Sequence, residues 1–316
     1  MNKHLISVIY QGRISRDLLA NSQKAVITGL TSRGIFIKLD TGWVLFLSFE
    51  SFRGPLTLNL SGETSILNNP PASSEPAGGS LGLLNGIKVS DPLEIQDGKI
   101  QHLPAGIEID FSRAGTWEAP PLPEIVLSPG DRAKSLKTVA GLILSQDKEP
   151  GLYLVLNELL GLGFGNLQAL PRLFERLDCL RLLRLLKTAD LDGILSSLTP
   201  FLGLGAGLTP AGDDLILGLL LAYHRWGPTL RPVFDLAELD DRLNRAASQK
   251  TTLLSANLIA CASQGQADER LVTALDGMIT GNPAPDQCAR SLSSWGNSSG
   301  CDALVGMALA ILSSQP

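Results

Sequence analysis

The sequence predicts an α+β protein, in which an N-terminal small β-barrel or sandwich is followed by a C-terminal all-helical domain. The first part of the chain consists of short β-branched or alternating apolar runs, separated by glycine- and proline-containing turns. The second part is rich in leucine at helical spacing and shows no strand-like alternation. Proline-rich segments at 120–123 and 128–130 mark the change. We therefore expect a β-rich domain over residues 1–127 and a helical domain over residues 128–316.

Short strands between turns are expected throughout the β-rich domain. The segment 40–42, Asp-Thr-Gly, lies between two β runs and predicts a hairpin. Residues 68–80 are rich in Asn, Pro, Ser and Gly and contain almost nothing that a core could bury, so they predict a loop or a disordered insertion. The predicted strands are residues 24–30, 34–39, 43–49, 55–60, 87–89, 93–95, 99–102 and 107–111.

About ten helices are expected after the boundary, as a bundle or a globin-like packing. Nearly every residue of 215–223 is apolar, which predicts a helix covered by protein on all sides. The predicted helices are residues 133–145, 151–160, 167–187, 189–198, 210–226, 236–248, 251–263, 268–278, 285–293 and 299–313.

The composition is typical of a cytoplasmic protein that binds neither nucleic acid nor membrane. The formal net charge is −5 and no basic cluster is present, whereas nucleic-acid binding requires a basic face. The apolar runs are shorter than the roughly 18 residues that span a bilayer, and a signal-peptide core is not expected at the N-terminus. The four cysteines form no Cys-x-x-Cys pair, so we expect reduced, mostly buried thiols.

The strongest candidate for a site is the glycine-rich segment before the buried helix. Gly203, Gly205 and Gly207 precede Thr209, the expected N-cap, and Pro210, the expected first helical residue. Backbone amides at a helix start favour anions such as phosphate or a carboxylate. The pattern lacks the lysine of a P-loop and the strand and third glycine of a Rossmann site, which excludes a standard nucleotide site. A tight turn with a helix cap is the alternative interpretation.

Two adjacent acids, Asp213 and Asp214, follow the glycines. They would repel a bound phosphate unless Mg²⁺ lies between, one side chain turns away, or one carboxylate accepts a proton from an amide. Successive helical positions point about 100° apart, so the two acids are not expected to serve the same ligand. We favour Asp214 as the functional acid and Asp213 as the structural one.

The helix start is repeated near the C-terminus. The pattern Gly212-x-Asp214-x-x-x-Gly218 recurs as Gly300-x-Asp302-x-x-x-Gly306. A glycine inside a helix costs about 1 kcal/mol relative to alanine, so two such glycines predict a close crossing of two helices. Both helix starts would then face one cavity; chance recurrence is the alternative.

Two polar segments could complete the site. Asn297, Ser298 and Ser299 offer hydrogen bonds to a small planar amide or carboxylate, and they also suit an ordinary helix cap. The second segment combines a cation with three hydroxyl groups, which suits an anion, with a solvated lysine as the alternative. Its residues are Lys250, Thr251, Thr252 and Ser255. Arg53, in the β-rich domain, is a weaker candidate of the same kind.

Several mechanisms are not expected. His4, His102 and His224 are far apart in the sequence and have no metal-ligand spacing. The chain has no Gly-x-Ser-x-Gly segment and no cysteine next to a candidate histidine base. Zinc chemistry and covalent nucleophilic catalysis are therefore disfavoured.

Three blocks in this order resemble the AllH-like family, which takes its name from the AllH subunit of oxamate carbamoyltransferase. The most specific block is Gly-Leu-Thr-Pro-x-Gly-Asp-Asp at 207–214. The two supporting blocks are Thr251-Thr-x-x-Ser255 and Ser298-Ser-Gly300-x-Asp302-x-x-x-Gly306. In the β-rich domain, Phe52-Arg-Gly-Pro55 and Trp117 also fit the family, so the resemblance spans most of the chain. The chain departs from the expected pattern at Asn297, where a histidine is expected.

The resemblance implies a subunit of an enzyme that moves a carbamoyl group between oxamate and phosphate in purine-nitrogen catabolism, releasing carbamoyl phosphate from oxalurate. It also implies partner subunits. On this hypothesis the loop glycines and Thr209 hold the phosphate, and residues 297–299 bind the planar substrate. Asp214 or Asp302 orients its amide, and Lys250 offsets charge. The alternatives are a non-catalytic binding or assembly subunit and a Mg²⁺-dependent phosphoryl-transfer enzyme that uses Asp213 and Asp214.

Overall fold

Contacts divide the chain into two compact units, residues 1–118 and residues 119–316. The computed structural model describes residues 4–61, 86–146, 152–162 and 178–314. The insertion predicted at 68–80 and most of the helix predicted over 167–187 lie outside these described residues. Within the described ranges, no helix has the length and hydropathy needed to cross a membrane.

Within its described residues, the first unit consists of strands and one short helix. Its elements are β1 (His4–Gly12), α1 (Arg13–Ala20), β2 (Lys24–Thr31), β3 (Gly34–Leu39), β4 (Val44–Ser48), β5 (Thr57–Leu60), β6 (Pro92–Gln96), β7 (Lys99–His102), β8 (Ile107–Asp110) and β9 (Gly115–Trp117). Eight strands form a closed barrel in the order β5-β4-β3-β2-β6-β7-β8-β1, and β1 closes the barrel by antiparallel pairing with β5. The strand β9 pairs in parallel with the end of β1. The predicted small barrel is confirmed.

The strand predictions hold for most of the barrel. The strands β3 and β4 pair antiparallel across residues 40–42, so the predicted hairpin is confirmed. The strand predicted at 87–89 is wrong, because this segment forms a turn in which the backbone N–H of Lys88 donates to the Asp91 carboxylate at 2.7 Å. The strand β1 escaped prediction because the register of its pairing shifts between Val8 and Tyr10, which breaks its alternation.

The second unit is helical within its described residues. Its elements are α2 (Pro129–Leu144), α3 (Tyr153–Leu160), α4 (Cys179–Leu185), α5 (Leu191–Leu198), a 3-10 helix (Thr199–Phe201), α6 (Ala211–Leu230), α7 (Leu236–Lys250), α8 (Leu253–Ala262), α9 (Glu269–Thr280), α10 (Pro285–Ser293) and α11 (Ser299–Ser313). Together with the barrel, these helices confirm the α+β class. The four cysteines are free, and three of them are buried.

The boundary of α2 differs from its prediction. Residues 128–130 were predicted to mark the domain boundary, with the first helix beginning at residue 133. The helix instead begins at Pro129, and the side chain of Ser128 caps it by accepting a hydrogen bond from the N–H of Asp131. Serine at the N-cap and proline at the first helical position are favourable, so these residues start a helix rather than interrupt one.

The centre of the second unit is the pair α6 and α11. Every residue of α6 from Gly212 to Tyr223 is buried, and so is every residue of α11 from Asp302 to Ile311. A helix that is apolar on all faces must be covered by other helices, as predicted for 215–223. The acids at the two helix starts are therefore held inside the core.

Candidate anion-binding site

The two central helices cross at their repeated glycines. A Cβ added at Gly218 of α6 would overlap the carbonyl oxygen of Ala303 in α11. Reciprocally, a Cβ at Gly306 would overlap the carbonyl oxygen of Leu215. Each glycine thus packs on the residue that follows the aspartate of the other repeat. The predicted close crossing is confirmed, whereas a shared cavity stays a prediction.

The start of α6 lies one residue later than predicted. Pro210, with a ψ of 144°, is the N-cap, so the prediction that Thr209 caps the helix is wrong. The Thr209 hydroxyl instead lies 3.3 Å from the hydroxyl of Ser299, the first residue of α11. Both side chains are half-buried. The two helix starts are therefore joined through a pair of hydroxyl groups.

Loop carbonyls satisfy the second amide of each helix. The N–H of Gly212 donates to Leu204 at 2.9 Å, and the N–H of Gly300 donates to Trp295 at 3.0 Å. Neither helix start has a side-chain cap. These two glycine amides are consequently occupied by the protein rather than open to an anion.

The loop before α6 carries backbone amides that face solvent. We name residues 203–208 the glycine loop; φ is +74° at Gly203, +120° at Gly205 and +98° at Gly207. The loop is exposed from Gly205 through Ala206 and Gly207 to Leu208. Among the described residues, the backbone amides of these four have no hydrogen-bond acceptor. Positive φ at every second residue is a backbone conformation from which anion-binding nests can form.

Asp213 ties this loop to the helices behind it. One carboxylate oxygen accepts the N–H of Gly203 at 2.8 Å, and the other accepts the hydroxyl of Thr251. Burial raises the pKa of Asp213, and the hydrogen bonds from Thr251 and Gly203 oppose that rise. The Ser255 hydroxyl is buried and makes no hydrogen bond of normal geometry, although it lies close enough to favour the ionised Asp213.

The segment 250–252 supports the same loop from behind. The hydroxyl of Thr252 donates to the carbonyl of Leu208 at 2.8 Å and also caps α8. The carbonyl of Lys250 lies so close to Gly203 that a Cβ there would overlap it. Lys250 is the last residue of α7 and its side chain is exposed. The threonine hydroxyls therefore hold the loop in place, and only the lysine side chain extends into solvent.

Asp214 is one of three buried acids of the site. It is 1% exposed, and its Oδ2 has no hydrogen-bond partner of normal geometry among the described residues. Burial raises its pKa well above the usual range; the nearby charges of Asp302 and Asp213 add to the rise, while the hydroxyls of Ser299 and Thr209 oppose it. This environment favours the protonated form of the carboxyl group. Asp214 thus lies next to the hydroxyl pair with its charged form disfavoured.

Asp302 has a backbone donor that Asp214 lacks. Its Oδ1 accepts the N–H of Leu152, immediately before α3, at 2.5 Å, while its Oδ2 is buried without a partner. Burial raises its pKa to about 6, and the Leu152 N–H and the Ser298 hydroxyl limit the rise. Asp302 therefore changes its charge near neutral pH.

The structure brings together only some of the predicted residues. The buried acids and the hydroxyls that lie over them come from both repeats: Thr209, Asp214, Ser298, Ser299 and Asp302. Asn297 is exposed. Among the described residues, no three His, Cys, Asp or Glu side chains are grouped so that they could hold a metal ion.

Sequence reasoning missed two parts of this arrangement. The amides of Ala206 and Leu208 belong to residues whose side chains carry no chemistry, so their type gave no signal. The Leu152 N–H is likewise a backbone group, and it lies 150 residues from Asp302. The run of glycines was the only indication in the sequence of the loop amides. Nothing in the sequence indicated the hydrogen bond from Leu152 to Asp302.

Comparison with known proteins locates the resemblance in the helical unit. No solved structure matches the chain. The family match begins in the 3-10 helix before the glycine loop, includes both helix starts and ends in α11. Residues 201–311 match the model of the AllH family, described as oxamate carbamoyltransferase subunit AllH, and this confirms the similarity that the three sequence blocks predict.

Proposed function

We propose that this chain is a subunit of a carbamoyltransferase of the oxamate type, and that its glycine loop binds the phosphate group of phosphate or carbamoyl phosphate. The observation that carries the proposal is the exposed run of backbone amides at Gly205–Leu208, which has no protein acceptor among the described residues. These amides lie within the range that matches the family. Backbone amides that are not bound within the protein can bind a phosphate group.

The hydroxyl pair adjoins the loop and would bind the planar part of the substrate. Thr209 directly follows the glycine loop, and its hydroxyl lies 3.3 Å from that of Ser299. Hydroxyl groups can donate to a carboxylate or accept from an amide, which are the two ends of oxamate. Ser298 lies over Asp302 and adds a third hydroxyl.

Asp214 acts through these hydroxyls rather than on the substrate, because it is almost fully buried. In its protonated form, which burial favours, Asp214 can both donate to and accept from the hydroxyl groups of Ser299 and Thr209. It would thereby fix the directions of their protons and lone pairs, as a positioning residue. Asp302 would hold Ser298 in the same way.

The reaction needs no covalent nucleophile. An oxygen of hydrogen phosphate attacks the carbamoyl carbon of oxalurate, and the bond from this carbon to the oxamate nitrogen breaks. The phosphate proton passes to that nitrogen, which gives carbamoyl phosphate and oxamate. Binding the two reactants side by side and stabilising the charge on oxygen supply most of the acceleration in such reactions.

The charge balance supports a requirement for partner subunits. Phosphate and oxalurate together carry about three negative charges into the site. The backbone amides and the Lys250 side chain offset only part of this charge. Further cations from a partner would complete the site. A need for partners is consistent with the family's description as a subunit. On this proposal the chain itself only binds and positions the substrates.

Calorimetric titration of the purified chain with phosphate and carbamoyl phosphate tests the proposal. We expect binding to weaken at least tenfold in Gly207→Ala, because a side chain is strained at a φ of +98°, and in Ser299→Ala. The matched control is Gly130→Ala, since Gly130 also has open space around it but no positive φ. Unchanged affinity in both site variants would contradict the proposed site.

An assay of carbamoyl phosphate formation from oxalurate and phosphate then separates the two kinds of subunit. Turnover by the chain alone, lost in Ser299→Ala, identifies a catalytic subunit. Binding without turnover, with activity gained only when partner subunits are added, identifies a binding or assembly subunit. Absence of both binding and turnover, alone and with partners, contradicts the proposal.

A further inference from the structure

Arg132 is a buried cation without a counter-charge among the described residues. It is 4% exposed and lies in α2, and its Nε and Nη1 atoms are buried without hydrogen-bond partners among the described residues. Asp131, next to it in sequence, is exposed and accepts a hydrogen bond from the Ser128 hydroxyl at 2.6 Å. The nearest acid in the sequence is thus engaged elsewhere.

The other two buried arginines of the described chain show what is missing. Arg225 makes a bidentate pair with Asp276 at 2.7 and 2.6 Å. Arg270 pairs with Asp268 through two bonds of 2.8 Å. An arginine inside a protein is normally paired in this way, because an unpaired buried charge is strongly unfavourable.

The position of Arg132 in its helix increases this cost. The helix α2 begins at Pro129, so Arg132 lies near the helix N-terminus, where the helix dipole is positive and disfavours a cation. Burial lowers the pKa of Arg132, yet a guanidinium stays charged at physiological pH. A bound anion would relieve both the unpaired charge and the repulsion from the dipole.

Ser135 adds a second donor on the same face. It lies one helical turn after Arg132, and its hydroxyl is also buried without a partner. We propose that Arg132 and Ser135 form a second anion site, separate from the glycine loop, that binds the carboxylate or phosphate group of a small molecule. The planar guanidinium matches either group through two parallel hydrogen bonds. Since so little of Arg132 is exposed, the ligand of this site is a small anionic molecule or ion rather than the surface of a partner protein.

Thermal unfolding at constant ionic strength, with sodium acetate or sodium phosphate replacing sodium chloride, tests this site. The protein is the full chain carrying Gly207→Ala, which weakens the glycine loop. We expect a saturable rise in Tm of roughly 5 °C with at least one anion. The added change Arg132→Met abolishes the rise and Ser135→Ala reduces it. Lys134→Met, at an exposed neighbouring cation, leaves the rise unchanged.

The two anions separate the two sources of the ligand group. A rise with acetate identifies a carboxylate, and a rise with phosphate alone identifies a phosphate. If Arg132→Met does not fold, Arg132→Lys takes its place, since it keeps the charge but loses the planar fork, and at least tenfold more anion is then needed. No rise with either anion, or a rise that is the same in the Arg132 variants, overturns the second site. Neither result depends on whether the glycine loop binds substrate.

Discussion

The helices α6 and α11 begin with the same Gly-x-Asp pattern, and the surroundings of their two aspartates differ. Asp302 has a backbone donor, the N–H of Leu152, and its pKa rises to about 6. Asp214 has hydroxyl partners and no backbone donor among the described residues, and the rise of its pKa is larger. The second amide of each helix is bound by the loop before it, at Leu204 and at Trp295, and among the described residues the amides of Gly205–Leu208 have no acceptor. The two helix starts therefore share their capping and their crossing and differ in the donors around their acids; ligand binding by the loop before α6 stays a proposal.

The largest effect is expected at the shared crossing. Gly218→Ala and Gly306→Ala each place a methyl group into the backbone of the other helix, so each should lower the free energy of unfolding by about 3 kcal/mol. Denaturant unfolding measures both values. The matched control is Gly141→Ala in α2, a helical position with open space, where we expect a gain of about 0.5–1 kcal/mol. If the two variants lose clearly different amounts of unfolding free energy, the two glycines are not equivalent in the crossing.

The second effect sharpens the difference between the two acids. An acid whose folded pKa is raised keeps its proton in the folded state, so the free energy of unfolding falls as pH rises from the unfolded pKa toward the folded one. For Asp302 this window extends from about pH 4 to about pH 6, and a shift of two units corresponds to about 3 kcal/mol. The raised pKa values of Asp213 and Asp214 act in the same direction.

Unfolding curves at several pH values check this expectation. Asp302→Asn should remove its part of the decline between pH 4 and 6, since an amide does not titrate. Asp97→Asn, at an exposed turn, serves as the control and should leave the decline in place. If the decline is the same in Asp302→Asn as in the original chain, Asp302 does not carry the raised pKa.

A smaller effect is expected where the glycine loop is tied to α8. Thr251→Val removes a hydroxyl that donates to the buried carboxylate of Asp213, which should cost about 1–3 kcal/mol in unfolding free energy. Thr251→Ser keeps the donor and should lose less than half as much. Equal losses in the two variants would mean that the threonine methyl group, rather than the hydrogen bond, provides the stabilisation.

The sequence predicted the parts of the site that depend on local chemistry. Glycines inside helices are costly, so Gly218 and Gly306 indicated a close crossing, and the structure has it. The helix cap at Thr209 was wrong, because Pro210 has an extended ψ and the loop carbonyl of Leu204 supplies the cap instead. Residue propensities cannot predict that a loop carbonyl, rather than the Thr209 side chain, binds the free amide at this helix start.

The parts that depend on long-range contacts could not be predicted. Thr251 reaches Asp213 across 38 residues, and Leu152 reaches Asp302 across 150. In the barrel, the exposure of Leu5 and Ile9 together with the register shift hid β1 from any alternation rule. Such contacts follow from the packing of whole helices and strands, which no short pattern encodes.

The central claim is that the exposed amides of the glycine loop bind a phosphate group, and amide NMR tests it most directly. Spectra of the chain with ¹⁵N-labelled glycine, alanine and leucine would be recorded during titration with phosphate and with carbamoyl phosphate. We predict saturable shifts of the amides of Gly205, Ala206, Gly207 and Leu208, and little change at Gly141, which lies in the interior of α2. If the resonances of these four amides stay in place while other resonances shift, or if no resonance shifts, the loop does not bind phosphate.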